Sequence, residues 1–459
     1  MELRDYQEED AKFLASLSAS ACFNEPRTGK TATVLRALEL KGVEKILVVC
    51  PASAVWVWYD EIKLWTGVDA NVYDSSDFQW DKFLIISYDS LRTTTRNGKI
   101  YGGFSKILPV SFDAIVLDEA HRFGNYKTET FKQLKQLKHT KFKILMTGTP
   151  VINKPETLWA LLHFLYPKTF PGFWQWANEF LIVDNQYAGG NTFKIVRGLS
   201  KRGTMFITNV LPRISTQRKR AEVMPWLSER EYIDIRLPVT PAQKKYLTEL
   251  QTVFETEHVN TVGILDRLIR YRQICNSPAL LNLKGSSPKL DWLLQYINDY
   301  PEKKIIVFSA FTEFIKILKG AIPDSGTIIG DTPLKERQRL VQNFQSGKLN
   351  VLLLNTAAGR EALTLDAADA AIFMDRFPPV GYLQQAEDRI IPTRPENVKD
   401  EAPRIYNLMM RGTYDEVINS MIQSRAEEID IINDYKKYMK GGLNYANSAN
   451  IPKGKKAAS

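Results

Sequence analysis

The sequence predicts an α/β protein: two parallel-sheet lobes with a helical insertion between them and a short basic C-terminal tail. Three observations lead there. Short apolar runs alternate with helical stretches in two separate regions, a helix-rich stretch divides those regions, and the residues from Lys436 onward carry lysines but no acid. Strands alternating with helices call for crossover connections and parallel pairing. The length of 459 residues accommodates two or three domains at roughly 150 residues each.

In the first region Lys45–Cys50, Phe83–Ser87, Ala114–Leu117 and Lys143–Met146 read as buried strands, each a compact apolar run bounded by polar or turn residues. Helical stretches such as Thr31–Lys41 and Glu129–Leu137 lie between them. In the second region Lys304–Ser309, Thr327–Ile329, Asn350–Asn355 and Ala370–Met374 repeat the alternation. Between the regions, Pro241–His258 and Val262–Cys275 read as long helices, and Gly285-Ser286-Ser287-Pro288 reads as a hinge. The expected domains are a first lobe over 1–168, a mainly helical insertion over 169–284, a second lobe over 285–435 and a basic, disordered tail over 436–459.

Composition narrows the class. With 44% hydrophobic and 25% charged residues, the chain has an ordinary globular balance and can bury substantial cores. It has no apolar run of about 18 residues, the length of a membrane-spanning helix. Acids near the N-terminus stand where a signal peptide needs a basic and then an apolar stretch, so a cytoplasmic protein is expected. Cys22, Cys50 and Cys275 are far apart with no Cys-x-x-Cys spacing, which favours buried thiols over a zinc site. The net charge is +9, and six lysines after Tyr435 supply most of it. Within the body, Lys194 to Ala221 holds eight basic residues and no acid. A stretch of one sign repels itself and often answers a polyanion, so Arg218, Lys219 and Arg220 become candidate contacts to nucleic-acid phosphates. A solvated surface paired with acids from elsewhere is the alternative.

Chemistry enters at Asn24-Glu25-Pro26-Arg27-Thr28-Gly29-Lys30-Thr31, between the apolar Ala21-Cys22-Phe23 and a helix. A strand, a turn and a helix N-terminus gather backbone N–H groups around one point. There Lys30 and the helix dipole favour phosphate, and the Thr31 hydroxyl can ligate Mg2+. Gly-Lys-Ser/Thr alone arises by chance in roughly one chain in five of this length, and Asn24 stands where a leading glycine is usual, so a second signal is needed. Ala114-Ile115-Val116-Leu117-Asp118-Glu119-Ala120-His121 provides it: an apolar strand ending in adjacent carboxylates. Asp118 can hold Mg2+ through water, and Glu119 can polarise an attacking water. Together the two motifs point to nucleoside triphosphate hydrolysis. Acids favoured at a helix start would explain the pair by itself, but not a Gly-Lys-Thr loop followed within a hundred residues by a strand ending in Asp-Glu-Ala-His.

The order of motifs resembles superfamily 2 helicases, and within them the Swi/Snf-type double-stranded DNA translocases, over about residues 1–430. Leu3-Arg4-Asp5-Tyr6-Gln7 looks like the adenine-reading motif, and Val48-Val49-Cys50-Pro51-Ala52-Ser53 with Trp58 and Glu61-Ile62 like the first DNA-contacting motif. Ile86-Ser87-Tyr88 looks like the next, and Leu145 to Asn153 like the coupling motif. Leu158-Trp159-Ala160-Leu161-Leu162-His163-Phe164-Leu165-Tyr166-Pro167, Ile274-Cys275-Asn276-Ser277-Pro278 and Ile329-Gly330-Asp331-Thr332-Pro333 are similar to features peculiar to this branch.

The resemblance implies two RecA-like lobes, ATP and Mg2+ as cofactors, and double-stranded, forked or branched DNA as partner. It implies catalytic roles for Lys30, Asp118, Glu119 and Arg389, and ATP contacts from Gln7, Arg27, Thr28, Gly29, Lys30, Thr31, Gly359, Gln385, Arg389 and Arg394. His121, Thr147 and Thr149 would couple the sites, and Ser53, Ser87, Tyr88, Ser309 and Thr356 would touch DNA. The implied activity is an ATP-dependent DNA helicase or translocase active as a monomer, suited to fork regression, branch migration or reannealing. The short form looks most like helicases of tailed bacteriophages, which would place it in the host cytoplasm. Two departures stand out: Arg360 and Ala362 replace the family's usual glycines, and Pro392 stands where the last motif has its second arginine. An RNA helicase, or a nucleotide-binding DNA-binding protein with weak hydrolysis, are the rival expectations.

Overall fold

The computed structural model describes residues 2–424 apart from 74–80, 93, 97–98, 102, 138–139, 149–154, 189–190, 228–229, 253–262, 357–364, 378–379, 393–397 and 400. The chain divides into two compact units, Met1–Pro225 and Trp226–Ser459.

Unit 1 contains β1 (Ala19–Cys22), β2 (Ile46–Cys50), β3 (Asn71–Val72), β4 (Phe83–Ser87), β5 (Thr94–Arg96), β6 (Lys99–Tyr101), β7 (Ala114–Leu117), β8 (Phe142–Met146), β9 (Leu181–Ala188), β10 (Asn191–Leu199) and β11 (Ser215–Thr216). A seven-stranded sheet runs in the order β11-β1-β8-β7-β2-β4-β3, and every pairing in it is parallel. Its central strands are continuous apolar runs because helices cover both faces. Alternation divides them cleanly: Leu47, Val49, Leu84, Ile86 and Ile115 enter one core, while Ile46, Val48, Phe83, Ile85 and Val116 enter the other. The expected helix at Thr31 begins at Lys30. The one over Glu129–Leu137 is an α-helix to Leu134 followed by a 3-10 turn.

Unit 2 contains β12 (Glu231–Leu237), β13 (Ile305–Ser309), β14 (Gly326–Ile328), β15 (Val351–Asn355), β16 (Ala370–Phe373) and β17 (Arg404–Met410). They form a six-stranded sheet in the order β12-β17-β16-β13-β15-β14, again wholly parallel. The helices expected near Pro241 and Val262 span Pro241–Thr252 and Ile264–Asn276.

The stretch 169–284 is not a single insertion. Residues up to Pro225 belong to unit 1 and those after it to unit 2. Besides helices it carries the antiparallel hairpin β9–β10 and gives one edge strand to each sheet, β11 beside β1 and β12 beside β17. The edge strands have a physical cause. Ser215–Thr216 extends directly from the helix Lys201–Ile214, and Glu231–Leu237 alternates polar and apolar residues as a half-buried strand does. The tail from 436 onward lies outside the described residues. Cys22, Cys50 and Cys275 are buried free thiols. Among the described residues no helix is long and apolar enough to cross a membrane.

Unit 2 is cross-linked by a buried polar network. Lys289, without measurable exposure, donates to Asp415 Oδ2 at 2.7 Å, to the Met374 carbonyl at 2.7 Å and to Asn276 Oδ1 at 3.3 Å. Asp375 accepts from Arg272 at 2.9 Å, from Asn276 Nδ2 at 3.0 Å and from Ser309 Oγ at 2.6 Å. Removing one member of a buried ion pair leaves the other uncompensated, at a cost of about 3–5 kcal/mol. Lys289→Met is therefore expected to destabilise unit 2 by that order. Hydrogen exchange of β13 amides, with β2 amides of unit 1 as internal control, measures it; equal protection in wild type and variant contradicts the assignment.

Candidate nucleotide site

Parallel strands deliver their following loops to one edge of a sheet, and ligands of α/β proteins bind there. In unit 1 the loops after β1, β7 and β8 carry the motif residues. The loop after β1 reaches the helix Lys30–Lys41 through Gly29, whose φ of +76° is left-handed. A side chain at Gly29 would overlap the Gln7 amide, so the close approach also requires glycine. Arg27 has φ +70° without being glycine, the kind of strain that clusters at ligand loops.

The loop is held from two sides. On one, Gln7 Nε2 donates to the Thr28 carbonyl at 3.1 Å and the Tyr6 hydroxyl donates to the same oxygen at 2.8 Å. On the other, the chain after β11 runs alongside it. Glu25 N donates to the Arg218 carbonyl at 3.0 Å, Arg218 N to Asn24 Oδ1 at 3.0 Å, and Arg220 N to Glu25 Oε2 at 2.8 Å. Asn24 Nδ2 donates to Asp10 Oδ2 at 2.8 Å, and the Arg218 guanidinium donates to Asp10 Oδ1 at 2.8 and 3.0 Å and to Glu9 at 3.1 Å. Asn24 thus bridges helix Asp5–Ser16 and the basic segment, a role that a glycine at this position could not fill. Lys30 Nζ donates to the Glu25 carbonyl at 3.1 Å, at the mouth of the loop. Thr31, in the first helical turn, is half-buried beside it.

The acid pair stands at the end of β7. Asp118 accepts from Trp58 Nε1 at 2.9 Å and from Glu119 N at 2.8 Å, and its carbonyl accepts from the Tyr88 hydroxyl at 2.8 Å. Burial, and after it the charge of Glu119, pushes the Asp118 carboxyl up to about 6, against the opposing pull of Trp58 and Lys30. Glu119 has φ +46°, a left-handed conformation that turns it away from the strand line. Two neighbouring, partly buried carboxylates and the Thr31 hydroxyl at the start of the helix Lys30–Lys41 are hard-oxygen donors of the kind that suits Mg2+. Thr31 and Asp118 are the residues that would hold it. His121 Nδ1 lies 3.3 Å from Glu119 Oε2 and 3.1 Å from Thr147 Oγ1, so the acid loop meets the loop after β8. Gly148 abuts the phosphate loop: a Cβ there would come within 2.9 Å of Pro26 and 3.2 Å of Lys30 Nζ.

Several expected positions land elsewhere. Ser87 caps the helix Tyr88–Leu91, and Tyr88 is 5% exposed. Both are buried: the Ser87 hydroxyl is taken up by Ser90, and the Tyr88 hydroxyl supports the acid loop at the Asp118 carbonyl. Arg218 is committed to Asp10, and Arg220 lies 3.7 Å from Glu25, so these two brace the phosphate loop; Lys219 is exposed beside Glu222. Ser53 is half-buried in the turn after β2. In unit 2, Ser309 and Thr356 follow one another at adjacent strand ends, joined by Thr356 N donating to the Ser309 carbonyl at 2.9 Å. Gln385 lies on the helix Val380–Asp388, with Arg389 just after it. Thr149, Gly359 and Arg394 fall outside the described residues.

A family model described as the SNF2-related domain matches residues 6–280. The chain belongs to the SNF2-related family. The helicase conserved C-terminal domain matches residues 288–391, and the pair makes this SNF2-related protein an ATP-hydrolysing enzyme of the helicase/translocase type. It is 24% identical to a probable global transactivator of Orgyia pseudotsugata multicapsid polyhedrosis virus, over 79% of this chain and 76% of that one. It is 25% identical to the DNA annealing helicase and endonuclease ZRANB3 of Bos taurus (83% and 36%) and 24% identical to chromodomain-helicase-DNA-binding protein 6 of Homo sapiens (90% and 17%). The chain therefore spans only a minor part of these last two relatives. A Sulfolobus solfataricus SWI2/SNF2 ATPase core in complex with dsDNA is similar at 20% identity and a TM-score of 0.44, covering 97% of this chain and 96% of that one.

Arg218→Met removes the cationic partner of Asp10 and leaves the candidate phosphate-contacting residues themselves unchanged. We expect the KM for ATP to rise about fivefold, equivalent to roughly 1 kcal/mol, with kcat changed less. Steady-state hydrolysis with a fluorescent-nucleotide titration reads both. An unchanged KM would show that the loop stands without this brace.

Proposed function

We propose that this SNF2-related protein is an ATP-driven translocase on double-stranded DNA that acts on branched forms, in fork regression, branch migration or reannealing. The observation that supports this best is the convergence of the Lys30 loop, the Asp118–Glu119 pair and the His121–Thr147 contact at one sheet edge. The similarity to a DNA annealing helicase favours DNA as the track and reannealing among its outcomes.

In this reading Lys30 meets the β- and γ-phosphates, and Gln7 exchanges its bond to the Thr28 carbonyl for the adenine edge. Bound Mg2+, held by Thr31 and Asp118, would neutralise charge on the phosphate oxygens. Glu119 orients and polarises the attacking water. His121, touching both Glu119 and Thr147, passes the state of the acid loop to the loop after β8. Arg389 supplies the cation at the γ-phosphate. Lys194, Lys201 and Arg213 are exposed cations of the acid-free stretch, and with Lys219 they grip the duplex backbone without reading sequence.

ATP hydrolysis measured with single-stranded, duplex, forked and four-way DNA and with duplex RNA tests the track. Duplex or branched DNA should raise kcat most; stimulation by RNA alone overturns the proposal. Glu119→Gln should keep ATP bound while turnover falls by about 10²–10⁴, and unimpaired turnover would remove the assigned base. Changing Lys194, Lys201 and Arg213 together to Ala should lower the salt slope of duplex binding by about 0.9 per lost contact. A full slope in that variant, lost instead on truncation after Lys440, would put the grip in the tail.

A further inference from the structure

The helix Val380–Asp388 ends on two carboxylates, Glu387 and Asp388, immediately before Arg389. That placement is unfavourable twice over. The C-terminal end of a helix carries partial negative charge, and both acids are buried, at 3% and 5% exposure. Cations from outside the helix meet them. Arg230 Nη1 donates to Glu387 Oε2 at 3.2 Å, and its other terminal nitrogen donates to Asp388 Oδ1. Arg376 donates to Glu387 Oε1, and the Tyr232 hydroxyl donates to Glu387 Oε2 at 2.9 Å.

These partners are anchored in the sheet. Arg230 leads into β12, which also carries Tyr232, and Arg376 follows β16; those two strands flank β17. The Arg376 guanidinium lies over the Phe373 ring, 5.2 Å from its centre, and its neighbour Asp375 is fixed by Arg272, Asn276 and Ser309. The backbone of Arg389 is tied as well: its N–H donates to the Ala386 carbonyl at 3.2 Å, and its carbonyl accepts from Leu365 N at 3.1 Å.

We propose that Arg230, Arg376 and Tyr232 are positioning residues for Arg389, a clamp that grips the two acids and fixes the turn presenting the Arg389 guanidinium. The inference rests on the reading of Arg389 as the cation that meets the γ-phosphate. The clamp adds no contact to ATP. Its effect belongs to the geometry of the transition state, where a displacement of about 1 Å costs about 10²-fold in rate.

The test is steady-state and single-turnover ATP hydrolysis by full-length Arg230→Gln, Arg230→Lys and Tyr232→Phe, each with and without Arg389→Ala, with thermal unfolding alongside. Arg230→Gln should lower kcat by about 10- to 100-fold with the KM for ATP within about twofold of wild type. Arg230→Lys should recover part of the loss, and Tyr232→Phe should lower kcat about threefold. In the Arg389→Ala background the residual single-turnover rate should not fall further. If Arg230→Gln does not fold, Tyr232→Phe, which keeps every charge, carries the comparison. Unchanged kcat in the folded clamp variants, or an equal additional loss in the Arg389→Ala background, overturns the clamp. Wild-type turnover in Arg389→Ala alone would instead overturn the reading of Arg389.

Discussion

A carboxylate removed from water must be met by a cation or by several N–H donors, or it costs several kcal/mol. Asp10, Asp375 and Glu387 are all at least 97% buried, and each stands next to a loop that carries candidate site residues. Asp10 is met by Arg218 and Asn24 beside the phosphate loop. Asp375 is met by Arg272, Asn276 and Ser309 where β13 ends, and Glu387 by Arg230, Arg376 and Tyr232 before Arg389. The Arg218–Asp10 bond joins residues 208 apart in sequence, and the Arg230–Glu387 bond joins residues 157 apart. The demand of a buried charge for a partner thus locates a loop against a remote piece of chain.

Parallel sheets make such cross-links necessary. Their loops leave the carboxyl edge without the hydrogen-bond ladder that fixes the strands, so side chains must fix them. The acid loop shows the result in small compass. Trp58 holds the Asp118 carboxylate, Tyr88 holds the Asp118 carbonyl, and His121 reaches Thr147. Held this way, Glu119 can persist in a left-handed conformation that would otherwise cost about 1–3 kcal/mol. The apolar strands supply the frame, and the polar contacts decide where the reacting groups stand within it.

The frame was legible in the sequence and the contacts were not. Runs such as Ile46–Cys50 and Ile305–Ser309 announce buried strands without any knowledge of neighbours, and Gly29-Lys30-Thr31 before a helix becomes a phosphate-loop signal once the strand ending in Asp118-Glu119 stands beside it in the sequence. The alternating Glu231–Leu237 was equally readable as a strand, yet it lay inside a stretch whose helices dominated the pattern. Asp10 sits three residues after Gln7 and so shares its helix face, but nothing local indicates that its partner is Arg218. For the same reason a stretch of eight basic residues looked uniform. Asp184, Glu179, Asp10 and Glu25 come from outside it and lie beside Arg197, Arg202, Arg218 and Arg220. Charge counted along a chain overstates the charge a surface presents.

The departure at Pro392 follows from the path of the chain after Arg389. Ile390 and Ile391 are buried, Ile391 N donates to the Asp388 carbonyl at 3.2 Å, and Pro392 is itself buried, beside Leu227, Ala368 and Pro403. The turn that presents Arg389 is followed at once by an apolar anchor. A cation at position 392 on this path would require its own buried partner, whereas proline adds only a fixed φ and a small apolar ring. Clamped acids precede Arg389, and buried apolar residues follow it. The backbone of that one arginine is restrained on both sides, an arrangement that suits a motif working with its first arginine and without a second at 392.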